Sequence, residues 1–152
     1  MSYEAKLKEL GHTVEAVELD KGRLMLAKRT GNLIYTSGST PNRDGKMLKG
    51  KVGLDLTVEE GYEGAKMATL NCLDAIKTLA GSLDNVVQIV KVFGMVNVAP
   101  DFNDTPSVIH GCSDLLIEVF GDAGRHARSA IGLTVPGNFA VEIEIIAEVK
   151  GD

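Results

Sequence analysis

Arg125-His126-Ala127-Arg128-Ser129-Ala130-Ile131-Gly132-Leu133-Thr134-Val135-Pro136-Gly137-Asn138-Phe139-Ala140-Val141-Glu142-Ile143-Glu144-Ile145-Ile146-Ala147-Glu148-Val149 sets two strand-forming runs around a Pro136-Gly137-Asn138 turn. Read locally, the stretch is a β-hairpin, since proline, glycine and asparagine between β-branched runs are turn formers. Successive side chains of a strand alternate between faces. In the first run Ala127, Ser129, Ile131, Leu133 and Val135 share one face, opposed by His126, Arg128, Ala130, Gly132 and Thr134. In the second run Val141, Ile143, Ile145, Ala147 and Val149 form an apolar face, opposed by Glu142, Glu144 and Glu148. The apolar face is expected to be core. The other face carries an arginine and a glutamate over small residues that leave space above the sheet.

Such a face suits a small anion. Arginine is permanently charged, and its planar fork matches a carboxylate in two parallel hydrogen bonds. Ala130 and Gly132 would let a ligand approach the backbone. The other reading is an ordinary salt bridge between Arg128 and a nearby acid, a common and energetically minor feature of solvated sheets. If Val135 and Phe139 flank a tight turn, Arg128 pairs with Ile146 and Gly132 with Glu142. Arg128 and Glu142 are then about four residues apart along the strands, roughly 13 Å. One small ligand cannot touch both unless a bulge, another pairing or a subunit boundary brings them together.

The run Gly124-Arg125-His126-Ala127-Arg128-Ser129, with Val141-Glu142-Ile143-Glu144 after it, resembles the C-terminal signature of the RidA/YjgF family. The similarity extends to Leu33-Ile34-Tyr35-Thr36-Ser37-Gly38, to Gly61-Tyr62-Glu63 through Leu73, and to Asp114 through Gly121. It is greatest for the longer branch of that family, often labelled endoribonuclease-like. The resemblance implies an α+β, chorismate-mutase-like fold, with a mixed β-sheet and two helices packed on one face, assembled as a homotrimer. Many members hydrolyse reactive enamines and imines. Carried onto this sequence, Arg128 would clamp the carboxylate of a small imino acid, and Glu142 would hold and polarise the attacking water. Ser37, Gly38 and Ser129 would position the substrate nitrogen through backbone groups, with Ala130 and His110 also lining the site. No metal or organic cofactor is needed for that reaction, because an imine carbon is already electrophilic.

Three positions depart from the family pattern. Gly22-Arg23-Leu24 stands where members commonly carry an aromatic residue, Ala130 stands where the deaminases have cysteine, and His110 stands where asparagine is common. His110 also reads simply as a helix histidine facing solvent or an interface. Each departure bears on substrate choice.

The rest of the chain fits one domain over residues 1–152, with 44% hydrophobic and 24% charged residues, ordinary for a globular protein. The N-terminus is polar, with Glu4, Lys6, Lys8 and Glu9, and no run reaches membrane-spanning length, so neither a signal peptide nor a membrane partner is expected. Cys72 and Cys112 lie far apart in expected helices and read as buried free thiols; a reduced, cytoplasmic setting is the default. A net charge of −5 speaks against a nucleic-acid partner, since phosphate contacts need clustered Lys and Arg.

In chain order, residues 2–10 read as a short helix capped by Ser2, and strands are expected around Val14–Val17, Leu24–Lys28 and Leu33–Ser37. Asn42-Arg43-Asp44-Gly45 is a turn, and the glycines at 45, 50 and 53 are too irregular for a phosphate loop. Thr57-Val58-Glu59-Glu60 is a capping box that opens a helix to about Ala80. Leu83–Val98 reads as a long strand, and a second helix begins at Asp104 or Thr105 and stops at Gly121. Helices on one face of a mixed sheet leave the other face bare, which favours association. Function then divides into an imine or enamine deaminase and a non-catalytic module that binds a small carboxylate. An endoribonuclease rests only on the label of the branch, and the acidic chain shows neither a histidine pair nor a basic strip suited to phosphodiester cleavage.

Overall fold

Thr57 opens the longest helix as the capping box predicts: its hydroxyl accepts the Glu60 amide at 3.1 Å, while the Glu60 carboxylate accepts the Thr57 amide at 3.0 Å. In the computed structural model, which describes residues 2–151, this helix is α2, Val58–Ala80, closed by Gly81 at a φ of 83°. Before it come α1 (Tyr3–Glu9), β1 (Ala27–Thr30), β2 (Leu33–Thr36) and a small ribbon of β3 (Asn42–Arg43) and β4 (Lys46–Met47). After it come β5 (Val86–Asn97), α3 (Thr105–Phe120), β6 (Ala127–Leu133) and β7 (Val141–Val149). No helix among the described residues is long and apolar enough to cross a membrane.

The main sheet runs β1-β2-β7-β5-β6, antiparallel throughout except for the parallel β5–β6 pair. A parallel neighbour needs a crossover, and α3 supplies it. Helices α2 and α3 pack on one face, against the row Val141, Ile143, Ile145, Ala147 and Val149, all buried, together with Ile34, Val92 and Val96. This is the expected α+β architecture. The opposite face carries Tyr35, Phe93, Met95, Ile131 and Ile146 among Lys91, Glu142, Glu144 and Glu148, and Tyr35 and Ile131 are each 43% exposed.

The hairpin expected at Pro136–Asn138 does not form. β6 and β7 are not neighbours; β5 lies between them. The cause is where the connecting backbone bonds. Ala140 accepts the Asn97 amide at 2.9 Å and donates to the Leu48 carbonyl at 3.1 Å, while Asn138 accepts the Gly50 amide at 2.8 Å. The connection therefore crosses the end of β5, with buried Asn97 donating its side-chain amide to Gly50 O and Asn138 Oδ1. The faces of β6 are also reversed relative to expectation. Arg128, Ala130 and Gly132 lie beneath α3, and the row of Ala127, Ser129 and Ile131 is exposed.

Two smaller expectations shift. No strand forms at Val14–Val17, because α2 side chains take its amides: Glu15 donates to Asp74 Oδ1 and Val17 to Thr78 Oγ1. The strand expected from Leu24 begins at Ala27, and a short 3-10 turn, Leu83–Asn85, precedes β5. Both cysteines are buried in helices as read from sequence, and burial pushes each thiol up to about 12, which removes them as nucleophiles.

Close approach fixes the helices. A Cβ at Gly94 of β5 would lie 2.6 Å from Ile109 of α3, and one at Gly111 of α3 would overlap the Tyr62 carbonyl of α2. A rotamer change can relieve the first overlap but not the second, since Tyr62 presents backbone. Gly111→Ala is expected to destabilise the fold by about 3 kcal/mol, the upper end for overpacking. Urea unfolding measures it, and an unchanged midpoint would contradict this packing.

Candidate functional site

β6 is a sheet edge, and alternation turns Arg128 toward α3 rather than away from it. Its Nη1 donates to His110 Nδ1 at 2.9 Å and to Ser113 Oγ at 3.1 Å. His110 and Ser113 are three residues apart on α3 and so share a helix face. His126, two residues before Arg128 in the same extended chain, completes the group with Nε2 at 2.9 Å from Ser113 Oγ and Nδ1 at 2.6 Å from Gly124 O. Burial first, and then the Arg128 charge, hold the His126 imidazole below its ordinary range despite the Gly124 carbonyl. No acid among the described residues lies within ion-pair distance of Arg128, so the salt-bridge reading does not apply. Both Nη1 hydrogens are used. The Nε–Nη2 edge, which is one of the two-pronged edges of the fork, has no partner among the described residues.

The small residues beside Arg128 do not leave the expected space. The Ala130 carbonyl accepts the Thr105 hydroxyl at 2.9 Å, and a Cβ at Gly132 would meet Val98 at 2.9 Å. Gly132 is small because α3 and the segment after β5 fill the volume above it. Ser129 points to the open face, level with Phe93 and Glu144.

Glu142 occupies the open face of β7, with its carboxylate against Gly38 so closely that a Cβ there would overlap it. Burial first, and then the neighbouring Glu144, raise the Glu142 carboxyl above its ordinary range. Ser37 is used internally: its amide donates to Leu26 O at 2.8 Å and its hydroxyl to Met25 O. Ser39 exchanges both backbone bonds with Ile143. The exposed Gly38 amide is left as the donor beside Glu142, without a partner among the described residues. A cavity of about 420 Å³ lies on the α2 side of this segment, lined by Leu26, Ser37, Gly38, Thr40, Asn71 and Cys72 among others, but by neither Glu142 nor Arg128.

Arg128 and Glu142 are not brought together. Arg128 is level with Val92 of β5 and Glu142 with Met95, three residues along and roughly 10 Å by the rise of a strand. They also stand two strands apart and on opposite faces, not on the shared face expected. The chain thus carries two half-sites: a fixed guanidinium with a free edge, and a carboxylate beside a free amide.

Residues 4–149 match the family model described as "YjgF/chorismate mutase-like, putative endoribonuclease". The chain belongs to this YjgF family. Protein TCP17 of Trypanosoma cruzi is 34% identical over 149 residues, covering 96% of this chain and 93% of that protein. A crystal structure named as a putative endoribonuclease of Shewanella oneidensis is 33% identical, with a TM-score of 0.91, over 98% of this chain and 100% of that one. Escherichia coli TdcF, solved with bound serine, is 19% identical with a TM-score of 0.59, over 91% of this chain and 99% of that one, and shares the fold.

Within this YjgF-family chain, no group of three or more His, Cys, Asp or Glu among the described residues is placed to hold a metal ion. Sequence reading found Arg128, Glu142 and His110 but missed Ser113 and His126. The signal was present: His110 and Ser113 at helical spacing, and His126 two residues from Arg128 at strand spacing.

The raised Glu142 carboxyl has a stability consequence. Its folded form binds a proton more tightly than the unfolded chain, so this contribution is full below pH 4.5 and is lost as pH rises through the folded value. Glu142→Gln is therefore expected to raise the melting temperature at pH 7, with the gain vanishing below about pH 4. Thermal scans across that range test it; a gain that persists unchanged at low pH would contradict the assignment.

Proposed function

We propose that this protein hydrolyses a small 2-imino acid to the 2-oxo acid and ammonia, at sites built where one subunit's Arg128 meets a neighbour's Glu142 and Gly38. The observation that carries the reading is the division itself: each half-site has an unsatisfied polar edge, and the two face away from each other in a single chain. The free Nε–Nη2 edge of Arg128 matches a carboxylate in two parallel bonds and fixes the substrate's orientation. Glu142 then acts on water. The water oxygen bonds to C2 while the C=N pair moves to nitrogen, and Glu142 takes the water proton. The carboxyl next returns its proton to nitrogen, giving a carbinolamine. Glu142 then takes the C2 hydroxyl proton and passes it to nitrogen, and as the C2 oxygen forms the C=O bond the C–N bond breaks and ammonia leaves with the 2-oxo acid. A carboxyl held above its ordinary range suits both halves of that exchange. The Gly38 amide is a donor for the polar atom at C2.

The same division calls for association between subunits, and we propose a homotrimer. Tyr35, Phe93, Met95, Ile131 and Ile146 form an apolar band on the sheet face that α2 and α3 leave bare. Head-to-tail contacts that close make rings, and three copies give three equivalent sites. The binding-module reading keeps the same pocket without turnover and draws on Leu24, 51% exposed where family members commonly place an aromatic wall. RNA cleavage is disfavoured by Glu142, Glu144 and Glu148 on the open face, which repel phosphate.

Freshly generated 2-aminoacrylate is the assay substrate. Wild-type protein is expected to accelerate its hydrolysis, and Arg128→Ala and Glu142→Gln each to abolish the acceleration. Subunits of the two variants, unfolded together in equal amounts and refolded, should recover roughly a quarter of the sites, since a quarter of random interfaces join two intact halves. Saturable binding of pyruvate with no turnover would replace the hydrolase by the binding module. Mixed assemblies that stay inactive beside active wild type would overturn the shared site.

A further inference from the structure

The acceptors around Arg128 fix the direction of every hydrogen in the group. Gly124 O can only accept, so His126 Nδ1 carries the proton in the 2.6 Å contact. In the neutral imidazole Nε2 is then an acceptor, and the Ser113 hydroxyl must donate to it across 2.9 Å. That leaves Ser113 Oγ with lone pairs only toward Arg128, whose Nη1 donates at 3.1 Å. The second Nη1 hydrogen goes to His110 Nδ1 at 2.9 Å. A single chain of donors therefore runs from Arg128 through Ser113 and His126 to the backbone at Gly124. Every acceptor in it is neutral, so no counter-ion among the described residues competes with a bound anion for the guanidinium.

We propose that Ser113 and His126 are positioning residues that hold Arg128 by its Nη1 hydrogens and so aim its Nε–Nη2 edge at the ligand carboxylate. This rests on the reading of Arg128 as the carboxylate clamp. His126 sets the direction of the Ser113 hydroxyl, and Ser113 transmits it to the guanidinium. His110 supplies a second fixed point, so Nη1 has two anchors and the planar group cannot turn about Nε. Without the Ser113 hydroxyl, one Nη1 hydrogen loses its acceptor, and the fork pivots on His110. A lysine at 128 could not use the chain in this way, because it has no second edge whose direction the first edge fixes.

Pyruvate binding by calorimetry tests the chain. Ser113→Ala and His126→Phe are each expected to weaken it about tenfold, with Ser113→Thr, which keeps the hydroxyl, close to wild type. In an Arg128→Lys background the same two substitutions should have no further effect on the remaining affinity, because their action passes through the fork. Nitrogen-correlated NMR of the His126 ring gives an independent signature: at pH 7.5 a protonated Nδ1 and an unprotonated Nε2, with the Nε2 resonance shifted in Ser113→Ala. Equal losses in wild-type and Arg128→Lys backgrounds would overturn the positioning role, as would a His126 protonated at Nε2. Pyruvate binding that survives Arg128→Ala at full strength would instead overturn the clamp and leave the hydrogen-bond chain as structure alone.

Discussion

The approach of α3 to β5 at Gly94 is the constraint on which the rest depends. Ile109 fills the space a side chain at Gly94 would occupy, which sets the height of α3 over the sheet. The next residue along α3 is His110, and Ser113 is one turn on. Only at this height do their polar atoms fall within 2.9 and 3.1 Å of Arg128 on the neighbouring strand. The same helix is held from the side, where Gly111 admits the backbone of α2, its neighbour on the same face of the sheet. Packing and site geometry are therefore a single problem: a helix lifted by one methyl would lose the anchors of the guanidinium as well as the core contact.

The helices were legible because their signals are local. A capping box, a glycine stop and a three-and-four apolar spacing place α2 at Val58–Ala80, and proline at the first turn with Gly121 beyond place α3 at Thr105–Phe120. The β6–β7 hairpin was misread for the complementary reason. Pro136-Gly137-Asn138 does turn, with Gly137 and Asn138 both at positive φ. Its neighbours, however, bond to Leu48, Gly50 and Asn97, which are distant in sequence. Strand pairing is a non-local choice, and alternation alone cannot show that another strand will enter between two runs.

The site was legible in its charges and not in its arrangement. Arg128 and Glu142 stand out as charges in apolar strands, but placing them on one face required the hairpin. In β7 the apolar row is the core row, as alternation suggests. In β6 it is not: Ile131 is exposed while Arg128 turns inward, because an edge strand under a helix end can bury an arginine stem and leave an isoleucine on the open face. Ser37 matches the family stretch, yet its hydroxyl and amide serve the Met25–Leu26 segment. Which hydrogen bond a serine makes depends on the loop opposite, and no spacing rule encodes that.

Glu142 differs from its neighbours on the open face in a way that packing does not explain. Glu148 accepts a hydrogen bond from Gln88 at 2.8 Å and so has a structural use there. Glu142 has no hydrogen-bond partner among the described residues, is partly buried, and faces the charge of Glu144. Holding a carboxyl above its ordinary range costs stability at neutral pH, and a glutamine of the same shape would avoid that cost. Under the hydrolase reading the cost has a purpose, because a carboxylate stabilised by a lysine or by several amides would be too weak a base to take a proton from water. The two half-sites are then tuned in opposite senses. Arg128 is saturated on one edge so that the other is fixed, whereas Glu142 has no partner among the described residues of its own chain, which keeps its proton affinity high.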